Sequence, residues 1–108
     1  MKISVYDILK ESQNAVFHED GLAVFEAVRQ VIEDHDKIEV SFENIKVCTT
    51  QFLNASFGKL LLTYGEDVIK NKVFPDSYNS IHAFNEKFAL VWENFQEKNK
   101  SIIAEAYA

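Results

Sequence analysis

The feature that most constrains this chain is a change of hydrophobic period across Cys48. Before it, Ile38, Val40 and Phe42 alternate with Glu39, Ser41 and Glu43. Alternation of this kind marks a strand with one buried face and one polar face. Ile45 and Val47 carry the chain on to Cys48. After it, Leu53, Phe57, Leu60, Leu61 and Tyr64 fall at helical spacing and form one apolar stripe. Thr49 and Thr50 stand where a helix N-cap belongs, and Gly65 stands where a helix commonly ends in a left-handed residue. The predicted unit is a strand over 38–43, in the middle of a small sheet, and a helix over about 50–64 packed on it. Ala55, Ser56 and Gly58 are small, so part of this helix is expected to approach another backbone closely, and close packing would account for Gly58, whose helical cost is about 1 kcal/mol relative to alanine.

The flanking segments fit the same plan. Residues 2–8 alternate weakly and predict a first strand, and Lys10 to Asn14 are turn-like. Val16 and Phe17 suit a short extended piece. Asp20 is placed to cap a helix from Gly21 to about Asp34, with Leu22, Phe25, Val28 and Ile32 inward and Val24 and Val31 beside them. The acidic end of that helix (Glu33, Asp34, Asp36) would oppose its dipole. The segment 66–72 reads as a short helical turn. Residues 72–74 read as a brief strand cut off by Pro75, with Asp76 or Ser77 capping a last helix. Ile81, Phe84, Phe88, Val91 or Trp92, and Phe95 give the strongest periodicity in the chain, so Phe84, Phe88 and Trp92 are expected to face the core. Ile102 and Ile103 extend the pattern, with a break or fraying expected at 99–101. Strands alternating with helices predict an α/β domain, a small sheet joined by crossover helices.

With 108 residues and no linker-like or low-complexity stretch, residues 1–108 are expected to form one domain. A single cysteine excludes an internal disulfide and suits a reducing compartment. No apolar run approaches the roughly 18 residues of a membrane span, and the first residues lack the apolar region of a signal peptide, so a cytoplasmic protein is expected. A net charge of −6 without a basic cluster disfavours nucleic acid and anionic membrane surfaces, leaving a protein or a small molecule as partner.

Chemistry-bearing residues are few. HED at 18–20 and EDHD at 33–36 hold metal-ligand residue types without a recognised spacing, and read as a helix-start cap and a solvated helix end. The three glycines are too scattered for a phosphate-cradling loop. Cys48 precedes a helix, which lowers a thiol pKa, but it also ends an apolar strand, where a lone cysteine usually behaves as a small buried hydrophobe. No histidine is placed beside it by the sequence. Neither catalysis, a metal nor a cofactor is therefore expected.

The segment SFENIKVCTTQFLNASFGKLLLTYGEDVI resembles the STAS-like family of small bacterial proteins of unknown function. The resemblance rests on an apolar strand, an F-E-x-I/V connection, Thr or Ser residues, then F-L-N, a small residue and F-G-K-L, over about residues 38 to 70. It implies a mixed sheet with helices packed on it, related in fold to the STAS domains that antagonise anti-sigma factors. In those domains a serine at the start of the helix after the central strand is phosphorylated by a partner of the histidine-kinase type of ATPase. Their D-S-S-G-L falls here on Thr49, Thr50, Gln51, Phe52 and Leu53, so the acceptor serine aligns with Gln51, which takes no phosphate. Thr50, one residue away, is the candidate phosphoacceptor. The resemblance thus implies a regulatory protein-binding module whose partner surface is Thr49, Thr50, Gln51 and Asn54, paired with an ATPase of that type. Two alternatives stand beside it: a homodimeric structural or antitoxin-like subunit that associates through its aromatic helix, and a redox sensor or enzyme built on Cys48.

Overall fold

The computed structural model describes the backbone of residues 1–107 and the side chains of residues 1–96. The elements run β1 (Lys2–Ser4), α1 (Val5–Ile8), β2 (Asn14–Ala15), α2 (His18–Arg29), β3 (Ile38–Ser41), β4 (Val47–Cys48), α3 (Thr50–Leu53), a π-helical turn (Asn54–Gly58), α4 (Lys59–Tyr64), α5 (Glu66–Lys72), β5 (Val73–Asp76) and α6 (Phe84–Tyr107). The α/β fold is present, with β3 central in a three-stranded sheet of order β1-β3-β5, and β2 paired with β4 in a second ladder. All three strand pairings are parallel, where the resemblance pointed to a mixed sheet. No two paired strands are joined by a hairpin; each pair is separated by a helical connection long enough for a parallel crossover.

One face of the three-stranded sheet builds the core. Ile3, Ile38, Val40, Phe42 and Val73 are buried together with Val24, Phe25 and Val28 of α2 and with Phe52, Leu53, Phe57, Leu60 and Leu61 of the helical run 50–64. On the other face the register aligns Lys2 with Glu39 and Phe74, and Ser4 with Ser41 and Asp76. Phe74 apart, this row is polar, in keeping with the alternation of the central strand, although Ser41 within it is buried.

Several local expectations are corrected. The first strand stops at Ser4, whose hydroxyl accepts from the Asp7 N–H (3.2 Å) and starts α1 instead. The extended piece that pairs is Asn14–Ala15 rather than Val16–Phe17. Helix α2 begins at His18 after Phe17, with no side-chain cap, and ends at Arg29. Asp20 therefore sits in the first turn, and Glu33 and Asp34 lie beyond the helix, so acids and Arg29 occupy the dipole-favoured ends. Leu22 is only half-buried. Strand β5 continues through Pro75 to Asp76, which an edge strand tolerates because one side of its backbone needs no partner. Asp76 consequently ends a strand and does not cap α6; Ser77 lies in the loop at φ 56°. Helix α6 runs unbroken through residues 99–101, and the side chains of Ile102 and Ile103 lie outside the described residues.

The expected close approach of backbones is found at Ala55 and not at Gly58. A Cβ at Gly21 would lie 2.5 Å from the Phe52 carbonyl oxygen and 2.6 Å from the Ala55 Cβ, whereas at Gly58 the nearest atoms are at an ordinary 3.6 Å. Gly21 of α2 is what lets α2 lie against the start of the 50–64 run. Gly65, at φ 90°, ends α4 and starts α5 as expected of a residue without a Cβ.

The aromatic helix faces the core with graded depth. Phe84 is buried, stacked on Tyr78 and edge-on to Phe42, while Phe88 and Trp92 are half-buried. Phe88 meets Phe57 edge-on at 5.0 Å, joining α6 to the π-helical turn.

Candidate functional site

The start of the 50–64 helical run collects the residues singled out from the sequence. Thr49 has extended backbone angles, and its Oγ1 accepts from the Phe52 N–H at 3.2 Å. The same hydroxyl donates to the Val16 carbonyl at 2.8 Å. Thr49 is thus committed on both sides, as helix cap and as the tie between the β4–α3 connection and the segment that enters α2. Thr50 follows, half-buried, and Gln51 and Asn54 are exposed. Spacings of three and four along a helix put Thr50, Gln51 and Asn54 on one face. Phe52 and Leu53, between them, are fully buried.

Two side chains that the sequence did not point to complete this edge. The Lys87 ammonium on α6 donates to the Cys48 carbonyl at 2.9 Å, fixing a positive charge beside the helix start. Thirty-nine residues separate the partners, so no local pattern announces the contact. Phe17, next to the Val16 carbonyl that Thr49 holds, leaves 65% of its surface open to solvent. Its position before α2 looks like part of a strand in the sequence, which conceals the exposure.

Immediately inside the edge, the chain departs from α-helical geometry. Asn54–Gly58 form a π-helical turn, and the buried Ser56 hydroxyl donates to the carbonyls of Phe52 (3.0 Å) and Leu53 (3.3 Å). The turn packs against α2 and α6. Its extra residue per turn broadens the buried face, so that Phe52, Leu53, Ala55, Ser56 and Phe57 are all inside.

Cys48 is fully buried, and burial pushes its thiol up to about 12, with the nearby Lys87 charge acting in the opposite, smaller sense. That is the reverse of the depressed pKa an activated thiol requires. Glu26 and Arg29 form a surface pair on α2, the Arg29 hydrogen bond holding the Glu26 carboxyl below its usual range. Among the described residues, no three His, Cys, Asp or Glu side chains converge as metal ligands; HED at 18–20 opens α2, and EDHD at 33–36 lies in the connection from α2 to β3. Among them too, no helix is long and apolar enough to cross a membrane.

A family model described as a STAS-like domain of unknown function (DUF4325) matches residues 20–80, from the first turn of α2 to the loop after β5. The matched stretch contains the central strand, the helix-start edge and the π-helical turn. No curated protein and no solved structure matches the chain.

Proposed function

The chain belongs to the family of STAS-like domains of unknown function, and from that premise we propose that it is a regulatory module that binds a partner protein through the edge from Thr49 to Asn54. The observation that carries the reading is a division of labour along this edge. Thr49 spends its hydroxyl on the cap and on Val16, while Thr50, Gln51 and Asn54 share a helix face on which Gln51 and Asn54 are exposed and Thr50 is half-buried. The exposed Phe17 ring borders the Thr49 tie and adds an apolar contact to these hydroxyl and amide groups. Tyr, Phe and similar rings bordered by polar groups are common at recognition surfaces. The neighbouring π-helical turn is a second support, since such turns recur at functional sites.

The partner is a protein, an ATPase of the histidine-kinase type by analogy with better-characterised STAS domains, and the module works by binding rather than by catalysis, in the cytoplasm. Thr50 is the candidate phosphoacceptor at the positive end of the helical run, where an added phosphate of roughly −1.5 to −2 charge is structurally tolerated. With Gln51 aligned to the acceptor of the related domains, recognition proceeds without a phosphate switch.

The test is a binding series on one recovered partner with wild type, Thr50→Ala, Thr50→Glu, Gln51→Ala and Asn54→Ala, each checked for native circular dichroism. Gln51→Ala and Asn54→Ala are expected to weaken binding, and Thr50→Ala to leave it nearly unchanged. Equal binding by all five proteins would remove this edge as the recognition surface.

A further inference from the structure

A second concave surface lies at the carboxyl end of the three-stranded sheet, bordered by the connections that leave β3 and β5 and by the residue that enters β2. The residue before β2 (Gln13), the β3–β4 connection (Glu43 to Lys46) and the loop after β5 (Ser77, Asn79, Ser80) surround a crevice of about 430 Å³. The Lys46 and Val47 N–H groups both bond the Gln13 carbonyl, which closes the ladder side. Ile45, 1% exposed, anchors its wall to the core. The carboxyl edge of parallel strands is where open α/β sheets take their ligands, and this volume lies within the usual range for small-molecule sites.

Three observations give the crevice a chemical character. Seven of its eight lining residues carry polar or charged groups, among them the amides of Gln13, Asn44 and Asn79 and the hydroxyls of Ser77 and Ser80, while their carbon atoms and Ile45 supply apolar surface between these groups. It carries one charge of each sign, Glu43 and Lys46, and neither is in any of the ion pairs formed among the described residues. Two of its walls hold non-glycine residues in the left-handed region, Asn44 at φ 68° and Ser77 at φ 56°. Such conformations are uncommon, and for Ser77 they carry a cost that the surrounding loop must sustain. Opposite charges on a wall otherwise furnished with amides and hydroxyls complement a ligand that itself bears both an ammonium and a carboxylate.

We propose that this crevice is a binding site for a free α-amino acid, with Lys46 receiving its carboxylate, Glu43 its ammonium, and the amide and hydroxyl groups a polar side chain. No bond is made or broken there. The site is independent of the Thr49 edge, so it stands or falls on its own.

The test is a titration of the full chain, labelled with nitrogen-15, with L-glutamine as the probe, followed through backbone amide resonances. Saturable shifts are expected at Asn44, Ser77 and Asn79. N-acetyl-L-glutamine, which lacks the ammonium, and L-glutamine methyl ester, which lacks the carboxylate, are expected to bind at least about tenfold more weakly. Glu43→Gln and Lys46→Met, both at exposed positions, should weaken L-glutamine by roughly the same factor while leaving the remaining spectrum native. Shifts that never saturate, equal binding of the two blocked derivatives, or full affinity in both variants would overturn the proposal.

Discussion

Replacing Gly21 by alanine sets two opposing effects against each other, and the structure decides between them. Alanine is favoured over glycine within a helix by about 1 kcal/mol, so helix propensity alone predicts a more stable protein. The added Cβ, however, would lie 2.5 Å from the Phe52 carbonyl oxygen and 2.6 Å from the Ala55 Cβ. Restoring ordinary contact requires α2 and the start of the 50–64 run to separate by roughly 1 Å, because the obstructing atoms belong to backbone and to a Cβ rather than to a flexible side-chain end. Overpacking of this kind costs about 1–3 kcal/mol, and here it also pulls on the Phe52, Phe25 and Leu53 packing on either side. Set against the propensity gain, the expected net effect is a loss of about 1 kcal/mol, or a melting temperature lower by roughly 4–8 °C for a domain of this size. Gly58→Ala supplies the control. Its Cβ would meet Asn54 and Val91 atoms at 3.6 Å, so the propensity gain survives and stability rises by up to about 1 kcal/mol. Urea unfolding followed by far-ultraviolet circular dichroism measures both. A Gly21→Ala protein as stable as wild type, or a Gly58→Ala protein destabilised as much as Gly21→Ala, would refute the assignment of the close approach to Gly21.

Two further outcomes follow from the helix-start edge. Thr49→Ala should cost about 1–2 kcal/mol, because it removes both the cap on the Phe52 N–H and the bond to Val16, and a stability unchanged by the substitution would show that the hydroxyl is not structural. Cys48 should react slowly with a water-soluble thiol reagent at pH 7–9 and quickly once urea unfolds the chain. Its folded pKa of about 12 lies above the unfolded thiol's, so the folded state holds its proton longer. The stability that the neutral thiol contributes is complete below the unfolded value of roughly 8.5 and falls as pH rises towards 12, by about 1.4 kcal/mol per pH unit. Fast native labelling at pH 8, or stability indifferent to pH across that window in a comparison with Cys48→Ala, would contradict the buried assignment.

What the sequence disclosed and what it hid divide along the range of the interactions. The period change across Cys48 revealed β3, the 50–64 helical run and the Thr49 cap, because alternation, helical spacing and capping are local properties of a few neighbours. Phe84 to Phe95 were legible for the same reason. Boundaries set by non-local partners were not. Phe17 starts α2 without a capping side chain, since the preceding segment is held by Thr49 from 33 residues away. Pro75 looked like a strand terminator, and only the placement of β5 at the sheet edge makes it harmless. Gly21 resembled any residue after a helix cap, and its value appears only when Phe52 and Ala55 are brought against it. The candidate edge was partly visible: Thr50, Gln51 and Asn54 were identified, but Lys87 belongs to a different helix and reaches the edge through the fold alone.

The most direct test of the partner-binding account is site-specific photo-crosslinking in cells of the native host. A photoreactive side chain placed at Gln51 is compared with one at Leu62, an exposed position on α4 beyond the proposed edge. The account predicts one discrete protein adduct from position 51, lost when Asn54→Arg is added, and none of that mass from position 62. An adduct of the same mass from position 62 alone, or one from position 51 that persists undiminished with Asn54→Arg, would contradict it.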